Sequence, residues 1–349
     1  MGKKHILSTF SVLTVFVPMA KYVHDLPNDG QEMTVDAFVR NFCSKDVFQK
    51  FTDFSHVILK SAELEFEAFR KNSESNRFLD VPCFDSTRVI VNHPLENHDY
   101  IHANYVDGFR EHHKFILTQA PLNYTIGHFW EMVWQEKCAL IVSMVPIDGT
   151  KCPAYIPTNA GQKVSFHAFS IQHMGTRTVR KAYDATMLTV QKNDESARKI
   201  LHLVFYRWPE KGTPTHVTEV LNFIDDMNYN RELILAEAIK DGWIDVNCRT
   251  PIVLHGSAGV GRCGSLVVID ICQRKMDASV SHPSGPFLDV EKTMLDVRNQ
   301  RAMAVQKPEQ YLFIHMSLIE YALRKRYITS IDEVDMINYT QEKGKQQET

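Results

Sequence analysis

The sequence lacks the cysteine pairs that mark a disulfide frame or a zinc site. Its seven cysteines are an odd number, and no two of them are spaced as C-x-x-C. Such a set is typical of reduced thiols in a cytosolic protein. The sequence also has no H-E-x-x-H helix, so the adjacent His112 and His113 are interpreted as a solvated loop. Neither a metal site nor a cofactor is predicted.

Strongly basic segments are also missing. The net charge is −3 at pH 7, and no basic run is interleaved with aromatic residues. A nucleic-acid-binding surface needs such clustered positive charge, so no nucleic-acid partner is expected. The chain nevertheless has the material for a large core, since 44% of its residues are hydrophobic.

No apolar run is long enough for a stable membrane span. The run at residues 6–17 follows two lysines and has the outline of a signal peptide. However, Pro18 would be the third residue before the expected cut after Ala20, and Ser and Thr residues dilute the run. We therefore expect a cytoplasmic protein with an N-terminal extension over residues 1–32. Secretion through this segment is the alternative.

A glycine-rich loop at residues 255–264 lies between two apolar segments, 251–254 and 266–271. A buried strand, a tight loop and a buried helix in that order gather backbone N–H groups and a helix N-terminus around one point. Such a loop binds an anion, and the planar guanidinium of Arg262 would close over a phosphate. The predicted phosphate-binding residues are Gly256, Ser257, Ala258, Gly259, Val260, Gly261 and Arg262.

Two known phosphate-binding loops fit this segment poorly, and a plain glycine turn without a ligand is a further possibility. A Walker A loop requires a Lys and a Ser or Thr, where this chain has Arg262 and Cys263. The glycines at 259, 261 and 264 fit a dinucleotide fingerprint, but that motif needs a second parallel strand and an acidic residue about twenty residues on. Residues 277–285 indicate a loop instead.

A third loop is the signature His-Cys-x5-Arg-Ser/Thr of the protein tyrosine phosphatases. The segment resembles it at His255 and Arg262, with Gly256 in place of the Cys and Cys263 in place of the Ser or Thr. Other short segments resemble the motifs of this family in the same order along the chain. They are 76–82 with 85–89, 99–105, 115–122, 129–134, 141–144, 151–157, Trp208-Pro209-Glu210 and 306–313. Each is weak alone, but together they identify the chain as a member of the family.

The resemblance implies a single α/β phosphatase domain, in which helices flank a central, mixed and twisted sheet. The phosphate-binding loop would join a strand to a helix. Since the motifs interlock without a linker, we expect one domain over residues 33–326 and a polar tail over 327–349. Apolar periodicity predicts strands near 100–106, 114–118 and 139–145, a β-rich stretch over 163–207, and helices near 216–228, 264–276, 289–299 and 308–326.

The resemblance implies that three of the family's catalytic groups are replaced. Family members attack phosphorus with a Cys thiolate, protonate the leaving phenolate with an acid on a Trp-Pro-Asp loop, and support the departing thiolate with a hydroxyl. The resemblance puts Gly256, Glu210 and Cys263 at these three positions. It also implies a set of residues that contact phosphotyrosine or its peptide: Phe78, Asp80, Lys151, Gln306 and Gln310.

Gly256 cannot attack phosphorus, but it keeps its backbone N–H and tolerates strained loop angles. We therefore expect a pseudophosphatase that binds and shields phosphotyrosine-containing proteins. Two alternatives stay open: a scaffold that uses its surface instead of the loop, and a weak phosphatase with Cys263 as nucleophile. Segments 99–108 and 129–136 are also similar to phosphatases of the bracoviruses of parasitoid wasps. That similarity implies delivery into the cytoplasm of insect host cells and interference with immune-cell signalling.

Overall fold

The computed structural model describes residues 33–43, 65–92, 99–209 and 212–328. Glu210, the N-terminal extension and nearly all of the polar tail lie outside these described residues. The predicted domain bounds therefore stay predictions.

The described residues form eleven strands and seven α-helices, and five of the strands follow one another over residues 140–205. The strands are β1 (Met33–Thr34), β2 (Arg88–Ile90), β3 (Tyr100–Gly108), β4 (Glu111–Gln119), β5 (Leu140–Ser143), β6 (Lys163–Phe166), β7 (Phe169–Val179), β8 (Tyr183–Lys192), β9 (Arg198–Phe205), β10 (Ile252–Gly256) and β11 (Phe287–Leu288). The helices are α1 (Val35–Cys43), α2 (Glu67–Lys71), α3 (Ile126–Gln135), α4 (Val217–Lys240), α5 (Gly261–Ser279), α6 (Val290–Gln300) and α7 (Pro308–Arg324).

Nine of these strands form one mixed sheet, in the order β2-β3-β4-β10-β5-β9-β8-β7-β6. β10 is parallel to its neighbours β4 and β5, and β5 is parallel to β9. The outer pairs, such as β3 with β4 and β8 with β9, are antiparallel. The predicted α/β fold with a mixed central sheet is therefore confirmed, and β10 lies inside the parallel part of the sheet.

Side chains of the central strands enter two separate cores, because they alternate across a strand. Ile252 and Leu254 pack with residues of α4, α5 and α7 on one face of the sheet. Val253 packs with Phe129 and Trp130 of α3 on the other face. Because both faces are covered, β10 is a continuous buried run instead of an alternating one. The loop that follows β10 therefore starts from a strand held on both sides and both faces.

The start of the described chain is fastened to the far end of the domain. β1 pairs with β11, with Met33 opposite Leu288. Phe38 and Phe42 of α1 stack on His315 of α7, with ring centroids 5.3 Å and 5.6 Å apart. None of the helices in the described ranges is both long and apolar enough to cross a membrane.

Candidate functional site

The glycine-rich loop lies at the carboxyl ends of parallel strands. β10 ends at Gly256 and α5 begins at Gly261, so the loop joins a strand to a helix as predicted. The Ala120 N–H donates to the Ser257 carbonyl at 3.0 Å, and the Met144 N–H donates to the His255 carbonyl at 2.8 Å. The edge formed by carboxyl ends of parallel strands and a helix N-terminus is where α/β proteins bind anions. We call residues 256–262 the cradle.

Gly259 is required by the geometry of the cradle. Its φ is +69°, and a Cβ on it would lie 2.0 Å from the Thr118 carbonyl oxygen. A side chain there would meet both an unfavourable backbone conformation and the backbone of β4. The close approach of the cradle to β4 therefore depends on this glycine.

Gly256 is different, because nothing around it requires a glycine. Its φ is not in the left-handed region, in contrast to Gly259. A Cβ built on it would meet Cys263 Sγ at 3.4 Å and Met144 Cβ at 3.9 Å, which are ordinary van der Waals contacts. The tolerance of glycine for strained loop angles is therefore not used at this position. The backbone could carry a side chain here, and the sequence does not supply one.

Two arginine side chains contribute to the cradle: Arg262 at its end and Arg301 beneath it. The Arg262 side chain is half-buried, and its Nη1 donates to the Met144 carbonyl at 2.8 Å. Arg301, which sequence reasoning missed, is fully buried beneath the loop. Its Nη2 donates to the Ala258 carbonyl at 2.8 Å and its Nε to the Gly259 carbonyl at 3.3 Å. By holding these two carbonyls from below, Arg301 orients the backbone of the cradle.

The charge of Arg301 is not neutralised by its hydrogen-bond partners. Besides the two carbonyls, Nη1 donates to Asn104 Oδ1 at 2.7 Å and Nη2 contacts His102 Nδ1 at 3.1 Å. Burial and the Arg301 charge lower the pKa of His102 to about 3, so this ring is neutral at pH 7. Burial also lowers the pKa of Arg301, but a guanidinium keeps its proton in proteins. A positive charge therefore remains beneath the cradle.

Cys263 lies beside the cradle as a buried thiol. Its side chain is 1% exposed, and burial raises its pKa to about 12, against the smaller opposing effects of Arg301 and Arg262. At neutral pH the group is therefore a thiol, which is a poor nucleophile compared with a thiolate.

A chain of three buried side chains supports the end of β10. The Tyr155 hydroxyl lies 2.6 Å from His255 Nε2 and 2.7 Å from His202 Nε2. Because a phenol carries one proton, it donates to one ring and accepts from the other. Burial lowers the pKa of His255 to about 4 and that of His202 to about 3, so both rings are neutral at pH 7. The network ties β10 to β9 and to the segment after β5.

The segment 76–82 is attached to the same end of β4 as the cradle. Arg77 donates from Nε to the Ala120 carbonyl at 3.1 Å and from Nη2 to the Pro121 carbonyl at 2.7 Å. Its backbone N–H donates to Gln119 Oε1 at 2.8 Å. Phe78 and Asp80 of this segment are exposed, with 37% of Phe78 accessible. The structure thus brings the predicted phosphotyrosine-recognition segment next to the cradle.

The remaining predicted residues differ in their placement. Gln310 is buried, and its Oε1 accepts from the N–H groups of Gln306 and Lys307 at 2.9 Å and 3.2 Å. A Cβ on Gly261 would lie 2.8 Å from Gln310 Nε2, so this amide lies against the start of α5. Gln306 and Lys151 are exposed.

Glu210 lies outside the described residues, but the residues beside it are described. The buried Trp208 donates from Nε1 to the Gly212 carbonyl at 3.3 Å. Its ring packs on Phe313 of α7, with centroids 5.1 Å apart. The two ends of the segment that carries Glu210 are therefore joined to each other and held on α7.

Comparison with known proteins agrees with this arrangement. Human tyrosine-protein phosphatase non-receptor type 9 is 31% identical over 268 residues, which are 74% of this chain and 43% of that protein. The chain thus spans less than half the length of this relative. Two proteins of Microplitis demolitor bracovirus (isolate Webb) are each 33% identical to it. Tyrosine phosphatase H2 matches 72% of this chain and 76% of its own length, and probable tyrosine phosphatase protein N1 matches 74% and 79%.

A solved structure described as "Structural basis of PTPN18 fingerprint on distinct HER2 tyrosine phosphorylation sites" has the same fold. Its TM-score is 0.68 at 23% sequence identity, and the match covers 81% of this chain and 98% of the other. The sequence profile described as "Protein-tyrosine phosphatase" matches residues 72–320, a range that contains β2 to β10, the cradle and most of α7. By sequence and by fold, this chain belongs to the protein-tyrosine phosphatase family.

Proposed function

We propose that this chain is a catalytically inactive phosphatase domain that binds and shields phosphotyrosine-containing proteins. The observation that carries the proposal is Gly256, because its position has room for a Cβ and a backbone that any residue can adopt. The backbone does not need a glycine there. In this proposal the glycine removes the nucleophile and brings no benefit to the stability of the fold. Removing the nucleophile from an enzyme of this covalent type costs roughly a millionfold in turnover.

Cys263 does not replace the missing nucleophile. Its thiol is buried and protonated, since burial raises its pKa to about 12. Its Sγ lies 3.4 Å from where a Cβ at 256 would be, and the side chain is only 1% exposed. A sulfur this deeply buried is not open to attack a phosphorus atom held by the cradle. The proposal therefore excludes the weak-phosphatase alternative.

The cradle keeps the features that bind a phosphate dianion. The loop glycines, the N-terminus of α5, Arg262 beside the loop and Arg301 beneath it are all present. Family members oppose this positive potential with a thiolate, whereas Gly256 carries no charge. Loss of a negative charge at the site favours the binding of a dianion. Phe78 would stack on the phenyl ring of the ligand, since it is exposed on the segment that Arg77 fastens to β4.

The test is a titration of the purified chain with a labelled phosphotyrosine peptide and with its unphosphorylated form. We expect binding of the phosphopeptide alone. Arg262→Lys keeps the charge but loses the bidentate fork, and should weaken binding by about 1–3 kcal/mol. The matched control is Arg249→Lys, because Arg249 is a surface arginine paired with Glu111 and Glu232, outside the cradle. Equal affinity for the two peptides would favour the scaffold alternative and overturn the proposal.

The cellular setting follows from the viral relatives. Because two bracovirus proteins are 33% identical to this chain, we extend the proposal to the shielding of phosphoproteins in the cytoplasm of an infected host cell. Expression in insect immune cells should protect a subset of phosphotyrosine proteins from dephosphorylation, and Arg262→Lys should abolish much of this protection. An unchanged phosphotyrosine pattern would contradict the extension without affecting the binding proposal.

A further inference from the structure

The hairpin of β3 and β4 carries a cluster of possible metal ligands at its turn. Asp107 lies near the end of β3, and His112 and His113 lie at the start of β4. One ligand atom from each of these three residues lies within 4.8 Å of the other two. β4 pairs with β10 so that Gln119 lies opposite Gly256. The cluster is therefore at the opposite end of β4 from the cradle and separate from it.

An irregular backbone brings the two histidines to the same side of the strand. Consecutive residues of a strand normally point to opposite faces. Here the rings of His112 and His113 stack with centroids 3.8 Å apart, because His113 has a φ of 51°. The register of the hairpin also shifts between Val106 and Gly108. A left-handed conformation is unfavourable in a residue other than glycine, so this arrangement is held by its surroundings.

The surroundings fix both ligand types in place. Asp107 Oδ1 accepts from the His113 N–H at 2.7 Å and lies 2.8 Å from His112 Nδ1. The Tyr105 ring stacks on His113, with centroids 4.1 Å apart. Contacts within the hairpin therefore hold the carboxylate and the His113 ring in place.

We propose that Asp107, His112 and His113 bind one divalent transition-metal ion, and that this ion cross-links β3 to β4. Two imidazole nitrogens and one carboxylate oxygen suit Zn²⁺, whose sites with three protein ligands leave a further position for water. The ion would take the place of the proton between His112 and Asp107. The adjacent histidines alone did not indicate a site, because Asp107 joins them only when the hairpin has folded.

The test is a titration of the full chain with Zn²⁺, and with Co²⁺ as a spectroscopic probe of tetrahedral coordination. We expect one tight site per chain and a rise in the midpoint of thermal unfolding on zinc addition. His112→Ala removes an exposed ligand with little risk to folding. His113→Asn removes the second ligand and keeps a residue type that tolerates a positive φ. Each variant should bind zinc at least tenfold more weakly, since even the loss of an outer hydrogen-bond partner costs about 10–100-fold in affinity.

The chain offers a matched control in His167. This residue is also exposed, has the same φ of 51°, and lies near a second histidine, with 6.3 Å between its ring and that of His128. His167→Asn should leave zinc affinity unchanged. Equal weakening in all three variants, or no weakening in His112→Ala and His113→Asn, would overturn the site. Zinc binding without a rise in the unfolding midpoint would overturn the cross-link. Phosphopeptide affinity should not change in any of these variants, because the cluster is far from the cradle.

Discussion

Two parts of the candidate site differ in how tightly their surroundings constrain them: the loop around Gly259, and position 256. Beneath the loop, Gly259 approaches β4 so closely that a Cβ cannot fit, and Arg301 holds two loop carbonyls. Position 256, in contrast, has room for a side chain and carries none. We call the first group the floor of the cradle and position 256 with Cys263 its chemical positions. In the proposed function, the floor orients the backbone of the cradle for binding, whereas the chemical positions lack the nucleophile. On this proposal, binding and catalysis are separable in this fold.

The largest effect is expected when the missing catalytic side chains are restored at positions 256 and 263. Wild-type chain should not hydrolyse a small aryl phosphate above buffer, and Gly256→Cys with Cys263→Ser should produce turnover, because the nucleophile accounts for roughly a millionfold. Adding Glu210→Asp should raise the rate further. Turnover is measured from released phenolate, with Gly256→Ser/Cys263→Ser as the control that lacks sulfur. An inert triple variant that still binds phosphopeptide would mean that the floor, and not the missing groups, prevents catalysis.

Gly256→Cys by itself should behave differently from the double variant. A Cβ at 256 would lie 3.4 Å from Cys263 Sγ, so the two thiols would be within bonding reach. With dissolved oxygen as the oxidant, we expect a disulfide that blocks activity until a reductant is added. Mass measurement before and after reduction would detect the loss of two hydrogens. Full activity of the single variant without reductant would contradict this geometry.

Substitution of the two glycines should have opposite results. Gly259→Ala forces a Cβ to 2.0 Å from the Thr118 carbonyl at a φ of +69°, and should destabilise the fold by about 3 kcal/mol or more. Gly256→Ala makes only ordinary contacts, and should change stability by less than about 1 kcal/mol. Urea unfolding of both variants measures the difference. Similar losses in the two would remove the contrast between floor and chemical positions.

Two buried arginines, Arg301 and Arg298, allow the orientation of the cradle to be tested separately from the stability of the domain. Arg301→Lys cannot reach both loop carbonyls, and should weaken phosphopeptide binding by about 1.5–3 kcal/mol, the range for a hydrogen bond to a charged group. Arg298 is also buried, but it donates to the Ala304 and Val305 carbonyls instead of to the cradle. Arg298→Lys should therefore lower stability with a smaller effect on binding. Equal effects of both variants on affinity would mean that Arg301 is only structural.

The buried histidines should make the domain sensitive to acid. The pKa values of His102, His202 and His255 are lowered from 6.5 to about 3, 3 and 4 in the folded chain. Below 6.5 the unfolded chain binds protons that the folded chain does not, so stability is complete above that pH and is lost as pH falls toward 4. Between pH 7 and pH 5 we expect a loss of roughly 1–2 kcal/mol for each histidine. His202→Gln should reduce this loss, and an unchanged dependence would show that His202 titrates normally.

Much of the fold could be predicted from local patterns. The strands near 100–106 and 114–118 and the helices near 264–276 and 289–299 correspond to β3, β4, α5 and α6. The helix near 216–228 continues to Lys240, because the later residues Ile234, Leu235 and Ala238 also reach the core. The apolar periodicity is weaker after residue 228, so the predicted helix ends too early. Periodicity thus located elements well and their ends less well.

Sequence by itself determined the order of strand, glycine loop and helix, the family and the absence of a thiol at 256, since these depend on neighbours along the chain. Only the tertiary structure decided that Gly259 is sterically required and Gly256 is not, because the atoms that a Cβ would meet come from β4, from α5 and from Met144 just after β5. It also brought Arg301 beneath Gly259, 42 residues earlier in the chain, and Asp107 beside His112. The Arg301 contact forms only when distant segments pack, and the Asp107 contact forms only when the hairpin of β3 and β4 has folded, so both depend on the assembled sheet.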